Sequence, residues 1–172
     1  KNEKLTPRIT QTAKALWVVY LLITIGGVLA LKVAGMNWYD AVFHSFSTVS
    51  LGGFSNYDAS VGHYDSVAIE VVLIVFMLIS ALNFSRHFIA WQQKSLRTYL
   101  EDIEARALLL AIGLSTLGLA LLIWREGVYA DFWTSLRHVA FNLVSIATDC
   151  GLVSQDYAAW PMFAPMWILM LS

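Results

Sequence analysis

Thr48–Ser60, TVSLGGFSNYDAS, lies between two long apolar stretches and directly follows a short, half-apolar one, NWYDAVFHSF from Asn37. So short a run cannot cross about 30 Å of hydrocarbon as a helix, because a span needs about 20 residues at 1.5 Å rise each. The reading that fits is a segment that dips into the membrane and returns. Irregular backbone at that depth is tolerated only where protein buries it or where it lines a water-filled cavity. The paired glycines Gly52 and Gly53 let such a loop turn with its carbonyls toward a lumen. This is how a pore is built.

The composition points the same way. Of 172 residues, 58% are hydrophobic and 13% charged, with a mean hydropathy of +0.63, whereas soluble domains carry about a quarter charged residues. The formal charge of −1 decides nothing by itself, and without any basic run or interleaved aromatic patch no nucleic-acid partner is expected. The single cysteine, Cys150, forms no intrachain disulfide. A chain that starts at Lys1 without methionine and stops at Ser172 inside an apolar run reads as a fragment of a longer protein.

In chain order, residues 1–14 form a polar segment with Lys1, Lys4, Arg8 and Lys14. Residues 15–91 form a first unit: a span from Ala15 to Met36, the short helix, the loop, and a second span from Ser66 to about Trp91. Asn37 is read as the cap of the short helix, with Asp40 three residues on in the reciprocal position. Residues 92–106 form a charged connector. Residues 107–172 form a second unit: the uncharged span Ala107–Trp124, a stretch Phe132–Thr148, the irregular segment DCGLVSQDYAAWP from Asp149, and the start of another apolar run at Met162.

The order of span, short helix, loop and span is thus performed almost twice. Sliding the first loop forward by 98 positions sets Gly53 on Gly151, Asp58 on Asp156, Phe43 on Phe141 and Ser47 on Ser145. These coincidences fall at one place in one hydropathy pattern, as expected of two diverged copies of one unit. Basic residues gather in residues 1–14 and in the connector, with Arg86 beside it, and the opposite side has Lys32, Arg125 and Arg137. The positive-inside tendency makes the first group cytoplasmic and turns the loops outward. Asp40, Asp58, Asp65, Glu126, Asp131, Asp149 and Asp156 lie on the loop side, and an acidic mouth concentrates cations.

Plainer readings stand beside these. His44, His63, His87 and His138 have no metal-ligand spacing and read as hydrogen-bonded or interfacial side chains. Lys32, Glu70 and Arg86 sit near span ends and read as snorkelling charges, although an Arg86 facing the bundle would be a functional candidate. Gly26, Gly27, Gly113 and Gly118 read as sites of close helix packing. Asp149 is either a residue whose carbonyl alone matters or a side chain hydrogen-bonded behind the loop, and the second is preferred.

The stretch DAVFHSFSTVSLGGFSNYDASVGHYDS from Asp40 to Ser66 resembles the second pore loop of the Trk/Ktr/HKT superfamily of potassium transporters, most closely its TrkH branch. SIATDCGLVSQDYAAWP from Ser145 to Pro161 is similar to the next loop of those proteins, and NFSRHFIAWQQKSLRTYLEDIEARALL to the connector between them. The resemblance implies an all-α integral membrane fold of repeated membrane helix, pore helix, filter loop and membrane helix units around a pseudo-tetrameric cation pore. This chain would supply one complete repeat and most of another. It further implies potassium as the transported ion with no organic cofactor, a filter lined by the backbone of Ser50, Leu51, Gly52 and Gly53 and of Thr148, Asp149, Cys150 and Gly151, and Asp58 and Asp156 as acids of the outer vestibule. As partners it implies membrane lipid, the remaining repeats of the same polypeptide, a second copy in a homodimer, and a cytosolic nucleotide-binding regulatory subunit (TrkA-like). The implied location is the bacterial cytoplasmic (inner) membrane. Leu51 departs from the small hydroxyl residue usual there, and Asp149 with Cys150 from threonines.

The chemistry stands without the family. A potassium ion sheds water to pass a narrow filter, and rings of carbonyls can replace that shell while still letting the ion leave. The C-terminal ends of the short helices, near Ser47 and Ser145, direct partial negative charge at the cavity below. A substitution such as Gly53→Ser is then expected to lower potassium-over-sodium discrimination and leave assembly intact. Two other classes are weighed: an intramembrane enzyme using His44 and Asp149, which lacks a paired nucleophile and base, and a structural membrane subunit that transports nothing.

Overall fold

A computed structural model describes residues 5–93, 99 and 102–171. Lys1, Lys4, Lys94, Arg97 and Glu101, to which the sequence assigns charge on the cytoplasmic side, lie outside the described residues, as does the side chain of Arg8. The described chain is helical without strands. Helix α1 spans Leu5–Val33, α2 Trp38–Val49, α3 Val67–Ala81, α4 Phe84–Gln93, α5 Ile103–Arg125, α6 Phe132–Ala147 and α7 Phe163–Leu169.

Two of these are long and apolar enough to cross a membrane, α1 over Ala13–Val33 and α5 over its full 23 residues. Only 22% and 28% of their most apolar windows are buried within the chain, so Trp17, Leu22 and Leu29 on α1 and Leu110, Leu114 and Leu117 on α5 face outward. Both helices stop in the same way. After α1 the Met36 N–H donates to the Leu31 carbonyl (3.1 Å) and Gly35 to Lys32 (3.2 Å); after α5 Val128 donates to Ile123 (3.2 Å) and Gly127 to Trp124 (3.1 Å). These are paired Schellman closures, which satisfy carbonyls that would otherwise end unpaired.

Helices α2 and α6 are the short helices of the two units. At α2 the Asn37 Oδ1 accepts from the Asp40 N–H (2.9 Å), the cap read from the sequence, while the return bond to Asp40 Oδ2 comes from the Asn37 side-chain Nδ2 (2.7 Å) rather than from the backbone N–H of a capping box. At α6 Asp131 caps, accepting from the Thr134 N–H (2.9 Å). With 12 residues, α2 is about 18 Å long and cannot span. It packs against α1, where a Cβ on Gly27 would meet Ser45 Oγ at 2.5 Å, so Gly27 is a close-packing position. Gly113 and Gly118 have no described neighbour within 4 Å and do not play that part within this chain.

The second span differs from the sequence expectation. Rather than one helix from Ser66 to Trp91, α3 ends at Ala81, Leu82 turns extended (ψ 150°), and α4 begins at Phe84. The break is stabilised by side chains that a periodicity reading cannot see: a His87 ring nitrogen donates to the Ile79 carbonyl (2.9 Å), the other ring nitrogen contacts the Tyr99 hydroxyl (2.7 Å), and Arg86 pairs with Asp102 (3.0 Å). Asp102 also caps α5, accepting from the Glu104 N–H (3.1 Å). Arg86 is thus paired rather than snorkelling.

The two units meet where α3 packs on α6. Glu70, also read from the sequence as snorkelling, is 2% exposed and receives two bonds from Arg137 of α6, 2.9 Å each, and Arg137 reaches Asp65 at 2.8 Å. Taking a carboxylate out of water is costly unless its oxygens are occupied, and the guanidinium fork occupies both. One continuous apolar core, including Leu73, Met77, Phe141, Leu143 and Leu152, runs through both units. Arg137→Ala is expected to destabilise the intact protein by roughly 3–5 kcal/mol, because Glu70 is left buried and unpaired, and Arg137→Met with Glu70→Leu by much less. Thermal unfolding in detergent checks the order of the two.

Candidate ion-filter site

The two loops follow the two short helices in a common register. Ser50 and Thr148 are the C-caps of α2 and α6. In the first loop, Ser50 donates its N–H to Phe46 O, Leu51 to Thr48 O and Gly52 to Ser47 O, at 3.0, 3.1 and 2.8 Å. In the second, Thr148, Asp149 and Cys150 donate to Val144, Ile146 and Ser145, at 3.0, 2.9 and 2.8 Å. Each bond is displaced from its counterpart by 98 residues, the register found in the sequence.

The backbone repeats as well. Leu51 (φ 51°) and Gly53 (φ 67°) are left-handed, and so are Asp149 (φ 58°) and Gly151 (φ 83°), whereas Gly52 and Cys150 between them are not. Glycine adopts such angles freely; Leu51 and Asp149 do so at roughly 1–2 kcal/mol each. Alternating hand turns successive carbonyls to one side, where a strand would alternate them. The carbonyls of a loop built in this way can line a lumen.

The sequence did not reveal where the departing side chains go. Leu51 is half-buried and packs on the apolar core. Asp149 is exposed, which corrects the preferred reading of a side chain bonded behind the loop. Cys150 is 2% exposed. Ser47 Oγ, Thr48 Oγ1 and Ser145 Oγ are buried at the helix ends with no hydrogen-bond partner among the described residues.

The two loops touch. A Cβ on Gly53 would collide with the Cys150 carbonyl oxygen and lie 3.1 Å from Gly151 Cα. The expectation that Gly53→Ser leaves assembly intact is therefore corrected: the added atoms strike the neighbouring loop. Gly62 donates its N–H to the Val153 carbonyl (3.2 Å), and the Val153 N–H donates to Ser60 Oγ (3.1 Å).

The outer ends of the loops are pegged from the helices. The Asp40 carbonyl accepts from His44 Nδ1 (2.9 Å), which leaves Nε2 to accept from the Ser55 hydroxyl (3.0 Å). Asn142, 98 residues after His44, accepts from the Ser154 N–H (3.2 Å). The plain hydrogen-bonded reading of His44 therefore holds. Asn142 was missed, although the register would have picked it out. Asp40 is 2% exposed and fully engaged by Asn37, Asn56, Tyr57 and Tyr64, so it is not an open acid of the mouth, whereas Asp65 is exposed and paired with Arg137. Asp58 and Asp156 are exposed, and Asp156 also caps the turn Tyr157–Ala159.

Comparison with known proteins extends this picture. The family model TrkH, described as cation transport protein, matches residues 1–172. The chain is 48% identical over 165 residues to the Trk system potassium uptake protein TrkH of Halomonas elongata, covering 96% of this chain and 34% of that protein. It is 38% identical over 169 residues to TrkH of Escherichia coli K12, covering 98% and 35%. The crystal structure of the potassium transporter TrkH from Vibrio parahaemolyticus superposes with a TM-score of 0.93 at 41% identity, over 98% of this chain and 36% of that one. The chain thus spans about a third of the length of these relatives. With the family model matched from end to end and the same architecture in a solved relative, this chain belongs to the TrkH family of cation transport proteins.

Proposed function

We propose that the chain supplies two adjacent filter loops of a potassium uptake protein, in which potassium passes a passage lined by the backbone of residues 50–53 and 148–151. The observation that carries this reading is the pair of left-handed residues in each loop, 51 with 53 and 149 with 151, at one register and in contact through Gly53 and Cys150. Carbonyls oriented in this way replace the water that an entering ion sheds, while the side chains, Leu51 turned into the core and Cys150 buried, stay out of the coordination. The relatives' names, potassium uptake proteins, favour transport over a purely structural subunit and over an enzyme.

Two loops do not close a ring. The remaining repeats of the polypeptide complete a pseudo-tetrameric pore in the bacterial cytoplasmic membrane, with the loops facing outward. A second copy and a cytosolic nucleotide-binding subunit of the TrkA type complete the assembly. Lipid covers the apolar faces of α1 and α5 that the chain leaves open.

Two substitutions in the full-length protein test the filter. Gly151→Ala, with no described atom nearer than 3.8 Å to the added carbon, is expected to assemble normally but to lose about tenfold in potassium-over-sodium discrimination, about 1.4 kcal/mol, because the backbone angle is strained. Gly53→Ala, which also strikes Cys150, is expected to reduce both discrimination and yield. Rubidium uptake into vesicles, competed with potassium or sodium, measures the first effect and size-exclusion chromatography the second. Unchanged discrimination in Gly151→Ala would remove the filter assignment.

Asp58→Asn with Asp156→Asn is expected to slow uptake severalfold at about 10 mM ionic strength and little at about 150 mM, since the screening length falls from about 30 to 8 Å. The same slowing at both strengths would assign these residues a structural role.

A further inference from the structure

We propose that Asp40 is a positioning residue for both filter loops, acting through Tyr57 and Tyr64; the proposal rests on the filter reading above. Its carboxylate gathers donors from three places. Asn37 (2.7 Å) lies at the cap of its own helix, Asn56 (2.6 Å) and Tyr57 (2.9 Å) lie on the strand of chain leaving the first loop, and Tyr64 (2.6 Å) lies beyond the next turn. Four donors on one buried carboxylate fix their carriers far more firmly than neutral bonds could, because each is charge-assisted.

For the first loop the consequence is direct. Residues 50–53 hang between the C-cap of α2 and, three residues after Gly53, the Asn56 and Tyr57 pegs, with Ser55 held by His44 of the same helix. Both ends of the loop are therefore referred to one rigid element.

For the second loop the action is indirect but structurally continuous. Tyr57 and Tyr64 flank the short 3-10 turn Ser60–His63, and that turn carries Ser60, which accepts from the Val153 N–H, and Gly62, which donates to the Val153 carbonyl. A Cβ on Gly62 would meet the Ser154 carbonyl oxygen at 2.6 Å, so the turn seats tightly against the second loop. His63 stacks on Tyr57 at 3.7 Å between ring centres, and Val61 is fully buried, which stiffens the turn between its two tyrosine anchors. Among the described residues the second unit has no such hub of its own. His138, at the position equivalent to Asp40, leaves Nδ1 without a partner among the described residues.

The test uses the full-length protein in vesicles, with rubidium uptake competed by potassium and by sodium at two ionic strengths. Asp40→Ala removes the hub, and Tyr57→Phe with Tyr64→Phe removes two of its donors while keeping the charge. Both are expected to lose at least tenfold in potassium-over-sodium discrimination, equally at low and high salt. The double tyrosine variant retaining wild-type discrimination would overturn the proposal, as would a loss confined to Asp40→Ala and to low salt, which would mark Asp40 as an attracting charge. Should Asp40→Ala fail to assemble, the single Tyr57→Phe and Tyr64→Phe variants decide: a threefold or greater loss in each supports positioning, and wild-type ratios in both reject it. A wild type without potassium preference would instead reject the filter reading itself.

Discussion

In the proposed filter, backbone carbonyls that face a passage at membrane depth cannot be satisfied by their neighbours, and the arrangement of the two loops fits that constraint. The two loops answer it by closing every bond they can at the helix end and then leaving the helix through alternating left-handed residues. The strain of Leu51 and Asp149 is tolerated because each sits between a hydrogen-bonded helix cap and a pegged outer end. A loop held at one end only would relax.

The units solve the common problem in unequal ways. Three backbone bonds of their C-terminal caps agree across 98 residues, and the pegs His44 and Asn142 agree in place though not in chemistry. Beyond the pegs they diverge. The first unit builds a carboxylate hub, and the second leans on the first through Ser60 and Gly62. The Glu70–Arg137 pair and the α3–α6 contact extend the same dependence into the packing between the two units. The units are therefore better regarded as one packed body than as two modules side by side.

Much of this was legible in the residues. The failure of a short apolar run to span, the paired glycines and the 98-residue register follow from length and spacing alone, because membrane thickness and helix rise are fixed quantities. The Asn37–Asp40 cap was legible for the same reason: both partners lie within one turn. The break at Leu82 was not, since its stabilising partners, His87, Tyr99 and Asp102, include residues far along the chain, and local hydropathy stays high across Val67–Ala81.

The sequence by itself determined that a short helix and a glycine-bearing loop recur at a 98-residue register, because periodicity and register are properties of the string. Only the tertiary structure decided which charges are open and which are spent. In the sequence Asp40 reads as a cap partner among the loop-side acids and Glu70 as a snorkelling charge, yet one is held by four donors and the other by a guanidinium from the second unit. Only the fold, likewise, turned Leu51 into the core and set Gly53 against Cys150. The physical reason is that burial and pairing depend on groups brought together from distant positions, and hydropathy does not record who the neighbours are.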